Sequence, residues 1–131
     1  MLRTALITAL TLSACAQDES VAAYDGDQIW VLQQLDNAPF EAMASLSFDE
    51  DGKVTGQAPC NSFFTEQTKP YPWIGFGPIG TTRMICTDIE AEKRFLSALM
   101  EMTLVEVSGM VMILSNDAGR QMLFRAQKDD G

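Results

Sequence analysis

A single helical period, running from Asp88 to Met102 and set among short strand-like runs, constrains the fold more than any other feature of this chain. Thr87-Asp88-Ile89-Glu90 fits a capping box, in which the Thr87 hydroxyl accepts from the amide three residues on and Glu90 reaches back. Asp88, Glu90 and Glu92 place negative charge at the positive end of the helix dipole. Ile89, Phe95, Leu96, Leu99 and Met102 fall near one face, with Lys93, Arg94 and Glu101 outside it. Such a helix needs a sheet to cover its apolar stripe.

The flanking runs have the lengths and periods of strands. Gln28 to Leu35 reads as a first strand closed by the turn signal Asn37-Ala38-Pro39. Leu46 and Phe48 alternate with serines from Ser45 to Phe48, the period of a half-buried strand. Asp49-Glu50-Asp51-Gly52 is a turn in which Gly52 can take positive φ, and Lys53 to Gln57 returns as the second arm of a hairpin. Leu104 to Val107, a Ser108-Gly109 turn and Met110 to Leu114 form another hairpin. Asn116 to Gly119 turns once more, and Gln121 to Arg125 makes a last strand. The runs Val111 to Leu114 and Met122 to Phe124 are continuous rather than alternating, which predicts that both their faces are covered, as in a small closed barrel. Ala58 to Met84 reads as irregular, broken by Pro59, Pro70, Pro72 and Pro78, with Trp73, Ile74 and Phe76 anchoring a short strand.

The N-terminus carries an address. Arg3 precedes a nine-residue apolar stretch, Thr4 to Leu12, followed by the small residues Ser13 and Ala14. As a helix this stretch spans about 14 Å, far short of a hydrocarbon core of roughly 30 Å, so it reads as a cleaved signal peptide over residues 1–14 and not as a membrane anchor. Cys15 directly after it resembles the bacterial lipobox, in which the cysteine is lipid-modified and becomes the first mature residue. An ordinary secretory signal with an unrelated cysteine is the alternative. Ala16 and Gln17 stand where an Asp next to the cysteine would signal inner-membrane retention, so the expectation is an outer-membrane lipoprotein facing the periplasm. Residues 15–27 then form the lipidated cysteine and a flexible acidic tether, and residues 28–127 a single domain.

Losing residues 1–14 removes Arg3 and no acid, so the formal charge falls from −9 by one unit to −10. Nucleic acid is an unsuitable partner, because its binding relies on clustered Lys and Arg. Acidity on this scale keeps a domain soluble and apart from its neighbours. Cys60 and Cys86 remain as an even pair in an oxidising compartment and are a disulfide candidate, worth about 3.5 kcal/mol in the chain-entropy picture. A metal or nucleophilic thiol pair lacks supporting residues, since there is no histidine and no Cys-x-x-Cys.

No catalytic constellation emerges. Without histidine a Ser-His-Asp arrangement is excluded. Asp49, Glu50 and Asp51 read as a solvated turn lacking the other positions of a calcium loop, while Asp88, Glu90 and Glu92 serve the helix start. No metal, cofactor or catalytic residue is expected. Eight methionines are many for this length. Core filling is their first reading, and an apolar pocket between helix and sheet lined by Leu99, Met102, Met112 and Met122 is the sharper one.

The order of these signals resembles one family. A strand with Trp30 and Leu32 is followed by Leu46-x-Phe48, a turn, Val54-x-Gly56 and Cys60-Asn61. Then come Thr82-x-Met84-x-Cys86, a helix with Glu90, Phe95 and Leu99, and a strand with Met122-x-Phe124. Together they resemble the META/HslJ family of small bacterial envelope domains. Two positions depart from its pattern: Pro59 fills the usual glycine place before Cys60-Asn61, and Ile85 replaces a small residue. The resemblance implies an α+β fold, a curved antiparallel sheet approaching a small barrel with one packed helix at about residues 88–102. It further implies a non-enzymatic module of the cell envelope associated with stress responses, and a fold like that of secretion pilotins, which hold an acyl chain or apolar peptide tail.

Three functional expectations follow. The membrane partners the chain through its N-terminal lipid. The domain then acts as a protein-interaction or chaperone-like module on an unidentified envelope protein, using an edge at Asn61, Thr82 and Arg83. Alternatively, it holds an apolar ligand in a pilotin-like pocket.

Overall fold

The computed structural model describes residues 28–127. The signal segment, Cys15 and the acidic tether lie outside the described residues. Strand β1 (Trp30–Leu35) reverses through Asp36 and Asn37, both at positive φ (51° and 66°). These two residue types tolerate the left-handed region better than most, and a two-residue turn of this kind matches the strand twist. Ala38 and Pro39, expected as part of a turn, instead form the short β2 (Ala38–Pro39), paired as Gln34↔Pro39 and Leu35↔Ala38.

Strands β3 (Ser45–Phe48) and β4 (Lys53–Gln57) form the expected hairpin, with Gly52 at φ 82°. The next strand, β5 (Ser62–Glu66), corrects the reading of 58–84 as irregular. It pairs along its whole length with β4, from Lys53↔Glu66 to Gln57↔Ser62. Its alternation is real but faint, because Phe63 and Phe64 are adjacent and only Phe63 turns inward beside Thr65. The strand expected around Trp73 to Phe76 is reduced to two isolated bridges, Gln67↔Phe76 and Trp73↔Leu104. After β6 (Gly80–Thr81) come helix α1 (Ile89–Glu101) and strands β7 (Leu104–Ser108), β8 (Val111–Ser115) and β9 (Gln121–Ala126).

All pairings are antiparallel and make one sheet in the order β6-β5-β4-β3-β1-β9-β8-β7, with β2 beside β1. Its terminal strands, β6 and β7, are not joined by a ladder, so the sheet is open and the expected approach to a barrel is not realised as a closed ladder. A loop covers the β7 end instead: the Ile74 amide donates to the Thr103 carbonyl (2.9 Å) and the Val105 amide to the Pro72 carbonyl (2.8 Å). The class is α+β, mostly antiparallel sheet with one helix.

The core lies between α1 and one face of this sheet. A bulge between Leu32 and Gln34 shifts the β1–β9 register, and Trp30, Leu32 and Leu35 all face inward. In β8 and β9 the runs read as two-sided prove to alternate: Met112, Leu114, Met122 and Phe124 are buried, whereas Val111, Ile113 and Leu123 are half-buried on the other face. Helix α1 lays Ala91, Phe95, Ala98 and Leu99 on the sheet. The Phe95 ring meets Phe63 edge-on at 5.6 Å between centroids and lies 6.4 Å from Phe40. Among the described residues no helix is long and apolar enough to cross a membrane.

Arg120 pins three elements together. It pairs with Asp36 after β1 (2.9 Å) and with Glu101 at the end of α1. The Arg120 guanidinium, with help from the Gln121 amide, holds the Asp36 carboxyl below its ordinary value. A carboxyl with a depressed folded value stabilises the fold above its unfolded pKa, and this is lost as pH falls through the folded value. The pair is substantially exposed, so its worth is small, at most about 1 kcal/mol.

Two measurements check these points. Arg120→Gln should lower the denaturation midpoint slightly at neutral pH, and the gap from wild type should shrink as pH falls below 4. Gly56 is packed so tightly that a Cβ there would lie 2.2 Å from the Ser45 carbonyl and 2.5 Å from the Phe63 ring. Gly56→Ala should therefore cost about 2–3 kcal/mol in urea unfolding.

Candidate functional site

Glu92 sits in the apolar stripe of α1, three residues before Phe95, and is 5% exposed. Its carboxylate points to the loop between β4 and β5. Oε1 accepts from the Cys60 amide (3.0 Å) and the Asn61 amide (2.8 Å), while Oε2 accepts from Asn61 Nδ2 (2.7 Å). A buried charge is tolerable where hydrogen bonds replace its hydration, and three donors do so here.

Asn61 passes this attachment on. Its Nδ2 also donates to the Met84 carbonyl (3.0 Å), and its Oδ1 accepts from the Met84 amide (2.6 Å) and the Thr82 hydroxyl (2.9 Å). Both donors and both acceptor positions of the amide are thus occupied. The Thr82 hydroxyl in turn accepts from the Ser62 amide (3.2 Å). The Cys60–Cys86 disulfide closes the same junction, with Cα atoms 5.7 Å apart. The Cys86 carbonyl then takes the first helical amide, Ile89 (3.3 Å).

The expected capping box does not form. Asp88 is the N-cap and its side chain makes no capping bond, while Glu90 pairs with Lys93 at the surface (3.3 Å). Helix-start acids explain less than expected, because Glu92 is committed to the loop. Sequence reasoning missed this role. The available signal was a glutamate occupying a slot of the stripe that continues as Phe95, Ala98, Leu99 and Met102.

Of the proposed recognition edge, Asn61 and Thr82 are therefore turned to internal bracing. Arg83 is exposed and makes no hydrogen bond or ion pair among the described residues. What the junction displays is a run of five exposed residues, Thr81 to Ile85, with Met84 67% and Ile85 90% exposed. Apolar side chains are held out in water on a backbone gripped at Met84 from both its amide and its carbonyl.

The residues proposed to line an apolar pocket lie elsewhere. Leu99, Met102, Met112 and Met122 are all buried within the shared core, none more than 2% exposed. Three clefts on the domain are lined by other residues. One, of about 440 Å³, lies between the β1–β2 hairpin and α1, over Phe40 and the paired charges Glu41, Lys93, Arg94 and Arg120. Another, of about 310 Å³, lies along β4 and β5 beside Phe64 and Pro78, and a third, of about 340 Å³, beside Trp73. Among the described residues no group of three or more His, Cys, Asp or Glu is placed to hold a metal. The Asp49 to Asp51 run is a turn in which Asp49 accepts from the Asp51 amide (2.7 Å).

Comparison with known proteins identifies one family and a shared fold. The META domain family matches residues 19–129, a range that begins within the segment read as a tether. A solved structure from Burkholderia xenovorans is similar, with a TM-score of 0.64 and 22% identity over 95% of this chain and 100% of that one. A DUF4847 family protein from Bacteroides vulgatus has a TM-score of 0.65 and 13% identity, over 85% of this chain and 100% of its own. At these identities the likeness concerns the fold. No curated protein matches the chain significantly.

Substitution separates brace from display. Glu92→Gln removes the negative charge from three donors and replaces one of the two acceptor oxygens with an NH2, and should cost about 1–3 kcal/mol in chemical unfolding. Arg83→Ala, which breaks no hydrogen bond or ion pair among the described residues, should stay within about 0.5 kcal/mol of wild type.

Proposed function

The chain belongs to the META domain family, and on that footing we propose that it is a non-catalytic envelope lipoprotein whose domain is a protein-interaction module. In this reading Cys15 carries the lipid, the acidic segment to residue 27 is the tether, and the protein faces the periplasm from the outer membrane. Its task there is to engage another envelope protein, in a chaperone-like manner tied to stress tolerance.

One observation carries the reading. Met84 and Ile85 are exposed on a loop that the disulfide, Asn61 and Glu92 hold in place. Exposed apolar side chains cost a protein solubility, and a rigid apolar projection loses little conformational entropy when a partner covers it. The alternative, a pilotin-like pocket for a lipid or apolar peptide, gains no such support, since the residues nominated for it fill the core.

The test is a photo-crosslinking residue at position 85 of the full-length, lipidated chain in living cells, with position 50 in the β3–β4 turn as the control. One defined envelope protein should crosslink at 85 and not at 50. Ile85→Asp should weaken co-purification of that protein about tenfold or more, the equivalent of at least 1.4 kcal/mol, without changing the denaturation midpoint. Equal crosslinking at both positions would refute the reading, as would a saturable turnover activity of the purified chain.

A further inference from the structure

The two ends of the sheet are treated differently. The outer edge of β7 is covered, because Pro72 and Ile74 bond to Val105 and Thr103 across it. Among the described residues, the outer edge of β6 has no strand beyond it. An uncovered edge is a row of unspent main-chain donors and acceptors, which proteins ordinarily shield.

The direction of those groups follows from the ladder. Thr82 donates its amide to the Ser62 carbonyl (3.1 Å), and Met84 uses both its amide and its carbonyl on Asn61. Main-chain groups in an extended antiparallel segment alternate sides from residue to residue. Thr81 and Arg83 therefore direct their amides and carbonyls away from the sheet. Two residues apart, they have the spacing at which one further antiparallel strand exchanges its paired hydrogen bonds.

Side chains flank this edge on terms that suit an added strand. Gly80 lies under the Phe64 ring, so closely that a Cβ there would meet Phe64 at 2.3 Å. Phe64 is itself exposed and borders a cleft with Pro78. Met84 and Ile85 extend the apolar surface along the chain. The charge pattern then selects among occupants. Residues 67–87 contain no acid over 21 positions, although the chain has 18 acids, and they carry Lys69 and Arg83. Whereas Lys93, Arg94 and Arg120 are each paired with carboxylates, Arg83 is not paired among the described residues. An acidic segment is repelled by most of this molecule and tolerated here.

We propose that the Thr81–Arg83 edge receives an extended, acid-bearing peptide segment of a partner protein as an additional antiparallel strand, with a partner carboxylate on Arg83 and, on the opposite face, apolar side chains against Phe64 and Met84. This rests on the interaction reading above and specifies its mode, strand addition with specificity from alternate side chains.

The experiment uses the full chain and three capped synthetic peptides: Thr-Val-Glu-Val-Glu-Val-Thr, the same sequence with Lys for both Glu, and the Glu peptide with its central Val replaced by Pro. Solvent exchange of individual amides is followed by NMR during titration. With the Glu peptide, the Thr81 and Arg83 amides should slow at least fivefold while those of Thr82 and Met84 change little. The Pro peptide should leave all four unchanged. Arg83→Glu should weaken the Glu peptide about tenfold and strengthen the Lys peptide. Uniform slowing from 81 to 84, binding mapped to another surface, or no binding of the Glu peptide at millimolar concentration would overturn strand addition. If the crosslink at position 85 nevertheless captured its partner, the interaction reading would survive and this mode of it would not.

Discussion

A buried carboxylate, with no cation beside it among the described residues, holds one end of this domain together. Glu92 accepts from the Cys60 amide, the Asn61 amide and the Asn61 side chain, and so ties α1 to the β4–β5 loop. Asn61 spends its remaining capacity on Met84 and Thr82, which fixes the loop after β6. The disulfide joins the same two segments covalently. Losing the carboxylate leaves donors buried without an acceptor, and losing the disulfide frees a loop of the unfolded chain; the first acts on the folded state and the second mainly on the unfolded one.

In this arrangement Asn61 is buried and the exposed Thr82 spends its hydroxyl on internal bonds, while the apolar Met84 and Ile85 face out. Asn61 and Thr82 are the groups a recognition surface would ordinarily use, yet their hydrogen bonds are internal. Met84 and Ile85 are the groups a core would ordinarily bury, yet the backbone grip at Met84 keeps them in solvent. Large apolar side chains are exposed elsewhere as well, among them Met43 (72%) and Trp73 (56%), but Met84 and Ile85 are adjacent and stand beside the outer edge of β6. The core follows ordinary packing, with Phe95 set between Phe40 and Phe63 and Met102, Met112 and Met122 buried in the same cluster.

Much of the architecture was legible from residue order, and the exceptions have physical causes. The helix, the β3–β4 hairpin and the three C-terminal strands carry clear periods or turn chemistry. Strand β5 was hidden because Phe63 and Phe64 are adjacent and the run begins just after Pro59. The Trp73 to Phe76 segment is apolar enough for a strand, but the surrounding prolines leave it only single bridges. The continuous runs of β8 and β9 suggested two covered faces; β-branched and aliphatic residues also suit a half-exposed outer face, which is where Val111, Ile113 and Leu123 lie. At the site, the cysteine pair and Asn61 were visible as a motif. Glu92 was not, because an acid in the first turns of a helix already has a dipole explanation.

The central claim is that the Thr81–Ile85 display is rigid before any partner arrives, and backbone 15N relaxation tests it most directly. Residues 81–85 should show order parameters near those of the strands, about 0.85, and Glu92→Gln should lower them toward about 0.6 while β7 to β9 keep theirs. Values below about 0.6 for this run in the wild-type chain would contradict the account, because a loop that mobile offers no prearranged surface or edge.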